Sequence, residues 1–512
     1  SATSPLGPAE NAAIQNHWGH EIRTLASGRS RAFSGEQLLM PRRGSMHTPA
    51  TPALGIRTEG IGIRHEKPSR GSTRRIGTTT LPLRMKNAVM GLLGSGALRA
   101  AFVYGSAGVG FALANLLMAR VMEPREYGIV ALVIALFNVS VPAAPLGADG
   151  ILLRRRVPLT PTLLSRVALT SLAVASVVLA VGVFYYRLSP IIGLLAFGGV
   201  VAGGVGSTAA AYFQSTKRLG LALLLSQGQN IVLLALVVFM MVAGIYRASI
   251  TIAGMSAFYV ACAAVLWSIG MREDRDDVDL EAAAAPFPTR EAISYAGVIG
   301  VSLGLVQAER LVLPGLLGLE ALALFGVLAA IVGSVFRVLL LAVGLTLVPD
   351  LRRANTVPER RAVMRRELRA VGLVVVVTTL ALWALTPTVV HFFVGDKYVL
   401  APSLIAASIC AGWFKVASAF GRSAVTALSS ARDLHRFNIA GWISVCISLI
   451  GAIAGAPWGL TGVVWGLASG WLALSLAAAH LAWPHFRETS GRTIPADDAG
   501  VETQPVPEAL NL

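Results

Sequence analysis

Residues 359–392 read ERRAVMRRELRAVGLVVVVTTLALWALTPTVVHF. Five arginines crowd the first eleven positions, and the remaining stretch, 370–392, holds no Asp, Glu, Lys or Arg. At 1.5 Å per residue, a helix over that stretch is about 35 Å long, enough to cross a hydrocarbon core of about 30 Å. A dense basic cluster followed by an uncharged apolar run is the pattern of a membrane helix anchored by its positive end.

Working outward, the pattern repeats. Apolar runs broken by charged or Pro/Gly segments predict twelve spans: 101–122, 127–150, 163–186, 190–214, 221–245, 248–270, 292–314, 320–348, 370–392, 400–428, 437–456 and 459–485. Of the 512 residues, 54% are hydrophobic and 14% charged, against about 25% charged in a soluble domain. The expected fold is an all-α integral membrane protein. About twelve transmembrane helices form two six-helix halves around a central cavity.

The basic residues test the count. Eighteen lie in the loops after even-numbered spans, among them Arg154, Lys217, Arg272, Arg352 and Arg432. Four lie after odd-numbered spans: Arg125, Arg187, Arg247 and Lys397. Cytoplasmic loops retain Lys and Arg, so the alternation predicts both termini in the cytoplasm. It also accounts for the net charge of +16 without a nucleic-acid partner. Cys262, Cys410 and Cys446 fall far apart in apolar segments, with no metal-binding or disulfide spacing, and are expected to be buried thiols.

The ends and the middle differ from the spans. Residues 1–84 carry 12 Lys+Arg against 5 Asp+Glu and no sustained apolar period, so a disordered basic extension is expected there. Met85 would suit a natural start, with 1–84 lying upstream of it. The predicted organisation continues with a first half over 85–270, a cytoplasmic linker over 271–291, a second half over 292–487 and a disordered tail over 488–512. The linker is marked by Asp274, Asp276, Asp277, Asp279 and Glu281 and then by Pro286 and Pro288.

Charges inside spans are the functional candidates, because a charge at mid-membrane costs about 2.5–3.5 kcal/mol on insertion scales. Arg337 and Lys415 sit deepest, and Glu309 and Arg310 lie toward the outer end of span seven. Arg120 and Arg422, nearer the ends, read as boundary anchors. Guanidinium groups match phosphate oxygens two at a time, which suits an anionic ligand. The competing readings are snorkelling near the helix ends and an internal ion pair such as Glu309 with a nearby Arg. Gln227 and Asn230 share one face of span five, and Asn115 lies in span one. Each either binds sugar hydroxyls or bonds neighbouring helices. Gly199 and Gly203 have the spacing of a close helix contact. No HExxH, GxSxG or Walker sequence is present, so no enzyme activity and no cofactor or metal are expected.

Several motifs carry a resemblance. Gly108-Val-Gly110, Ala119-Arg120-Val-Met-Glu123-Pro124-Arg-Glu-Tyr127-Gly128 and Leu146-Gly147-Ala-Asp-Gly150 lie in the first half. Glu309-Arg310, Phe325-Gly326, Pro349, Gly395-Asp396-Lys397-Tyr398 and Pro457-Trp-Gly459-Leu-Thr-Gly462 lie in the second. In this order they resemble bacterial polysaccharide flippases, of the O-antigen flippase type, within the multidrug/oligosaccharidyl-lipid/polysaccharide exporter superfamily. Glu123 stands where that family usually has Gly, and Glu309 where Asp is usual.

The resemblance implies a multi-pass protein of the bacterial plasma (inner) membrane. It would move lipid-linked oligosaccharide, a glycan on a polyprenyl diphosphate, by alternating access for surface polysaccharide (lipopolysaccharide or exopolysaccharide) biosynthesis. Polysaccharide polymerase and glycosyltransferases of the same pathway would be partners, besides membrane lipids. Arg310, Arg337 and Lys415 would meet the headgroup, and Gln227 and Asn230 the glycan. The alternatives are a multidrug or cation exporter of the same superfamily, which would need acidic residues in its cavity, and a membrane-embedded polymerase or ligase, which would need large outward loops.

Overall fold

A computed structural model describes residues 96–155, 157–216, 218–277 and 287–487. The expectations for 1–84, for 488–512 and for the middle of the linker lie outside the described residues. Among those described there is no strand. The chain forms α1 (Gly96–Val121), α2 (Pro124–Ala143), α3 (Ala148–Arg155), α4 (Pro161–Ala180), α5 (Pro190–Ser215), α6 (Leu219–Ala243) and α7 (Ala248–Asp277). It continues with α8 (Thr289–Leu317), α9 (Leu319–Leu328), α10 (Ser334–Arg353), α11 (Val357–Val394), α12 (Pro402–Leu428), α13 (Ala431–Gly455) and α14 (Gly459–Ala482). A π turn, Val181–Tyr185, extends α4, and a second, Ala329–Gly333, joins α9 to α10 in one long rod. With α2 and α3 taken as one broken span, the described helices make twelve rods in the order the sequence predicts.

Nine helical stretches among the described residues are long and apolar enough to cross a membrane, and one of them, Arg432–Phe486, contains both α13 and α14. The outside of the bundle is correspondingly greasy. Phe184, Ile191, Val242, Leu373, Leu380 and Ile450 are all exposed, as side chains facing lipid should be.

The helix boundaries follow local chemistry. Thr160 and Ser189 each accept a hydrogen bond from the backbone amide three residues on, with Pro161 and Pro190 opening the helices behind them. Gly244 ends α6 in the left-handed conformation, φ 69°. The largest departure from the predicted spans is α11, which starts at Val357 rather than near 370. Thr356 and Glu359 form a capping box there. The arginine-rich segment excluded from the apolar span is therefore its helical continuation, because charge bars residues from hydrocarbon but not from a helix. Likewise α7 runs on to Asp277, through part of the predicted linker.

Glycines let the rods approach. Gly199 lies against Phe137 and Ser256, and Gly203 against Val141, as their spacing suggests. A closer contact, not anticipated from the sequence, joins α13 to α14: Gly451 abuts the backbone of Gly466, and Gly455 that of Gly462. Of the thiols, Cys262 is buried as expected, Cys410 is half-buried and Cys446 is exposed, because its side of α13 faces outward.

Candidate functional site

Two of the turns that carry the resemblance, Tyr127-Gly128 and Phe325-Gly326, meet in the fold. Tyr127, at the start of α2, is fully buried with its hydroxyl pressed toward Gly326 of α9, and Gly128 leaves no room for a Cβ against the backbone carbonyl of Leu319. Beside this contact the Tyr127 hydroxyl donates to Asn115 Oδ1 at 3.2 Å. Asn115 Nδ2 in turn donates to the carbonyl of Phe111 at 2.8 Å. Asn115 is buried and bonded at both ends of its amide. The structure thus gives it a tie between α1 and α2, the helix-bonding alternative weighed above.

Four charged residues gather next to this tie. Glu309 and Arg310 stand two turns before the end of α8. Arg337 lies near the middle of the rod Leu319–Arg353, just beyond the π turn, and Lys415 at the middle of α12. A π turn shifts the helical register, so the side chains after it face differently from those an unbroken helix would present. Gly412 sits directly under Phe336, so α10 and α12 approach closely where they carry Arg337 and Lys415.

The cations are not equivalent. Lys415 Nζ donates to Glu309 Oε1 at 2.7 Å, and Glu309 is buried. The Lys415 ammonium also lies 5.7 Å from the centre of the Trp471 ring on α14. Its charge is met inside the protein.

Arg310 and Arg337 pair with no carboxylate among the described residues. Both instead approach the same aromatic ring, that of Phe111 on α1, at 5.7 Å and 6.0 Å to the ring centre. Arg310 is half-buried and Arg337 is exposed. Phe111 was not singled out in the sequence, because one phenylalanine in an apolar helix carries no signal of its neighbours.

Gln227 and Asn230 do share a face of α6, half-buried, with Asn230 Nδ2 3.5 Å from Gln227 Oε1. Among the described residues neither bonds to the charged group. Gln229 between them accepts from the Tyr259 hydroxyl of α7. A separate apolar groove of about 620 Å³ lies between α12, α13 and α14, walled by Trp458 and Trp465, and none of the charged residues lines it.

No family model matches this chain, and no curated protein matches it. Solved structures do. An inward-facing multidrug resistance MATE family transporter of the MOP superfamily aligns with a TM-score of 0.57 at 14% identity, covering 75% of this chain and 97% of that chain. A eukaryotic MATE transporter aligns with a TM-score of 0.49 at 11% identity, covering 76% of this chain and 98% of that one. The first likeness establishes the fold: an all-α membrane fold of two halves, as in MOP superfamily transporters. The chain is a multi-pass membrane protein.

Proposed function

We propose that this protein exports lipid-linked oligosaccharide, a glycan carried on a polyprenyl diphosphate, across the bacterial plasma membrane. Rocking of one half against the other would expose the cationic group alternately to the two sides. The observation that carries the reading is the pair Arg310 and Arg337, two guanidinium groups at membrane depth that share an aromatic neighbour and make no ion pair among the described residues. Each would be costly to insert unless something anionic meets it. A diphosphate offers the bidentate oxygens that guanidinium binds best. The carrier's lipid tail would remain in the bilayer, and Gln227 and Asn230 would face the sugars.

A second reading, multidrug export, is favoured by the solved structure of TM-score 0.57, which is named as a multidrug resistance transporter. A cationic drug would need a free carboxylate, whereas the buried acid of the cluster, Glu309, is engaged by Lys415.

Reconstitution separates the two. Proteoliposomes holding this protein and a fluorescent polyprenyl-diphosphate glycan are expected to move the glycan to the opposite leaflet, and Arg310→Ala with Arg337→Ala to abolish the movement. Transport of a cationic dye with no movement of the glycan would favour the second reading over the first.

A further inference from the structure

The ring of Phe111 belongs to α1, in the first half, while Arg310 and Arg337 belong to α8 and α10, in the second. One side chain therefore serves as the neighbour of both free cations and as a bridge between halves. We propose that Phe111 is a positioning residue, a placeholder for the anion. It holds the two guanidinium groups while the site is empty and gives them up to arriving phosphate, so that substrate loosens α1 from α8 and α10. The proposal rests on the anionic-substrate reading above and adds how substrate is felt by the two halves.

The strength of the contact suits this role. A cation is attracted to the face of an aromatic ring within about 6 Å of its centre. At 5.7 Å and 6.0 Å, both groups lie near the limit of that range, where the attraction is weak. Charge-assisted hydrogen bonds from guanidinium to phosphate are stronger, so a phosphate displaces the ring. An acidic residue in place of Phe111 would hold the arginines too firmly to be displaced. An aliphatic residue would offer the two like charges no attraction at all. An aromatic ring lies between these extremes.

The surroundings keep the ring in place while its partners leave. The Phe111 carbonyl accepts from Asn115, and Asn115 accepts from Tyr127, which fixes this turn of α1 to α2. Glu309, next to Arg310 in the chain, is held in an ion pair by Lys415, and neither guanidinium group makes an ion pair with it. Displacing the ring from the arginines thus changes a contact between halves without changing the contact between α1 and α2.

The test uses the full chain in detergent or nanodiscs, with inorganic diphosphate as the probe and calorimetry as the readout. Phe111→Leu removes the ring's attraction, so diphosphate is expected to bind about three- to tenfold more tightly than to the unaltered protein. Phe111→Trp presents a stronger ring and is expected to bind it severalfold more weakly. In proteoliposomes the leucine variant should combine a lower KM for lipid-linked glycan with a lower kcat, a split that loss of packing alone does not produce. Equal or weaker diphosphate binding by Phe111→Leu overturns the proposal. If that variant fails to fold, the tryptophan variant decides: binding as tight as in the unaltered protein overturns it. An unaltered protein that binds no diphosphate, with Arg310→Gln and Arg337→Gln making no difference, would instead overturn the substrate reading on which the proposal rests.

Discussion

Lys415 Nζ of α12 and Glu309 Oε1 of α8 lie 2.7 Å apart. The pair divides the basic residues at membrane depth into two kinds. Lys415 is neutralised within the fold, whereas Arg310 and Arg337 make no ion pair among the described residues.

Breaking the pair from one side should be costly. Lys415→Met leaves a carboxylate buried without a partner, with an expected loss of about 3–5 kcal/mol in unfolding free energy. The double variant Lys415→Met with Glu309→Gln should recover most of it. Reversible unfolding in mixed detergent measures both. A single variant as stable as the double would show that the ion pair is not a structural tie.

The two arginines should matter for transport rather than for folding. A hydrogen bond to a charged group contributes about 1.5–3 kcal/mol, so Arg310→Ala and Arg337→Ala should each lower glycan translocation about tenfold to a hundredfold at near-normal expression. Gln227→Ala and Asn230→Ala, lying outside the charged group, should have smaller effects. Flipping assays in proteoliposomes rank the four.

The seam between halves has no space to spare at Gly128. A methyl group there meets the carbonyl of Leu319, which belongs to backbone and cannot turn aside. Overpacking costs about 1–3 kcal/mol in a core that can adjust, and Gly128→Ala should exceed that range. Gly326→Ala meets a side-chain hydroxyl, that of Tyr127, 2.8 Å from the added carbon, and should be milder. Thermal denaturation followed by tryptophan fluorescence gives the order, and the reverse order would contradict this account of the seam.

Lys397, in the turn before α12, donates to the carbonyls of Ala119 and Met122 at the end of α1. Cations at a helix C-terminus contribute about 0.3–1 kcal/mol. Lys397→Met should therefore lower stability only slightly. It should also free the end of α1, so that a cysteine placed at the buried Ala119 reacts faster with a maleimide. Unchanged labelling would mean that the lysine does not hold the two segments together.

The charged candidates were legible one by one. Arg337, Lys415, Arg310 and Glu309 stand out as charges in apolar runs, and the internal pair expected for Glu309 was with a nearby Arg, where the structure gives it Lys415. Which cation Glu309 chooses is not written in either segment, since Lys415 is 106 positions away. Asn115 looked as available as Gln227, and only its bonds to Phe111 and Tyr127 distinguish it.

What the sequence determined by itself was the set of rods. Hydrocarbon admits no unpaired peptide group, so each stretch of about twenty apolar residues must be a helix whatever its neighbours are. The arginine cluster before residue 370 likewise declares where the ninth rod leaves the apolar layer. The tertiary structure alone decided which faces meet: Phe111 under two guanidinium groups, Tyr127 against Gly326, and Glu309 beside Lys415. Hydrophobicity fixes that a helix is buried in lipid or protein but scarcely how it is rotated. The partners of a charge depend on that rotation and on side chains far away along the chain.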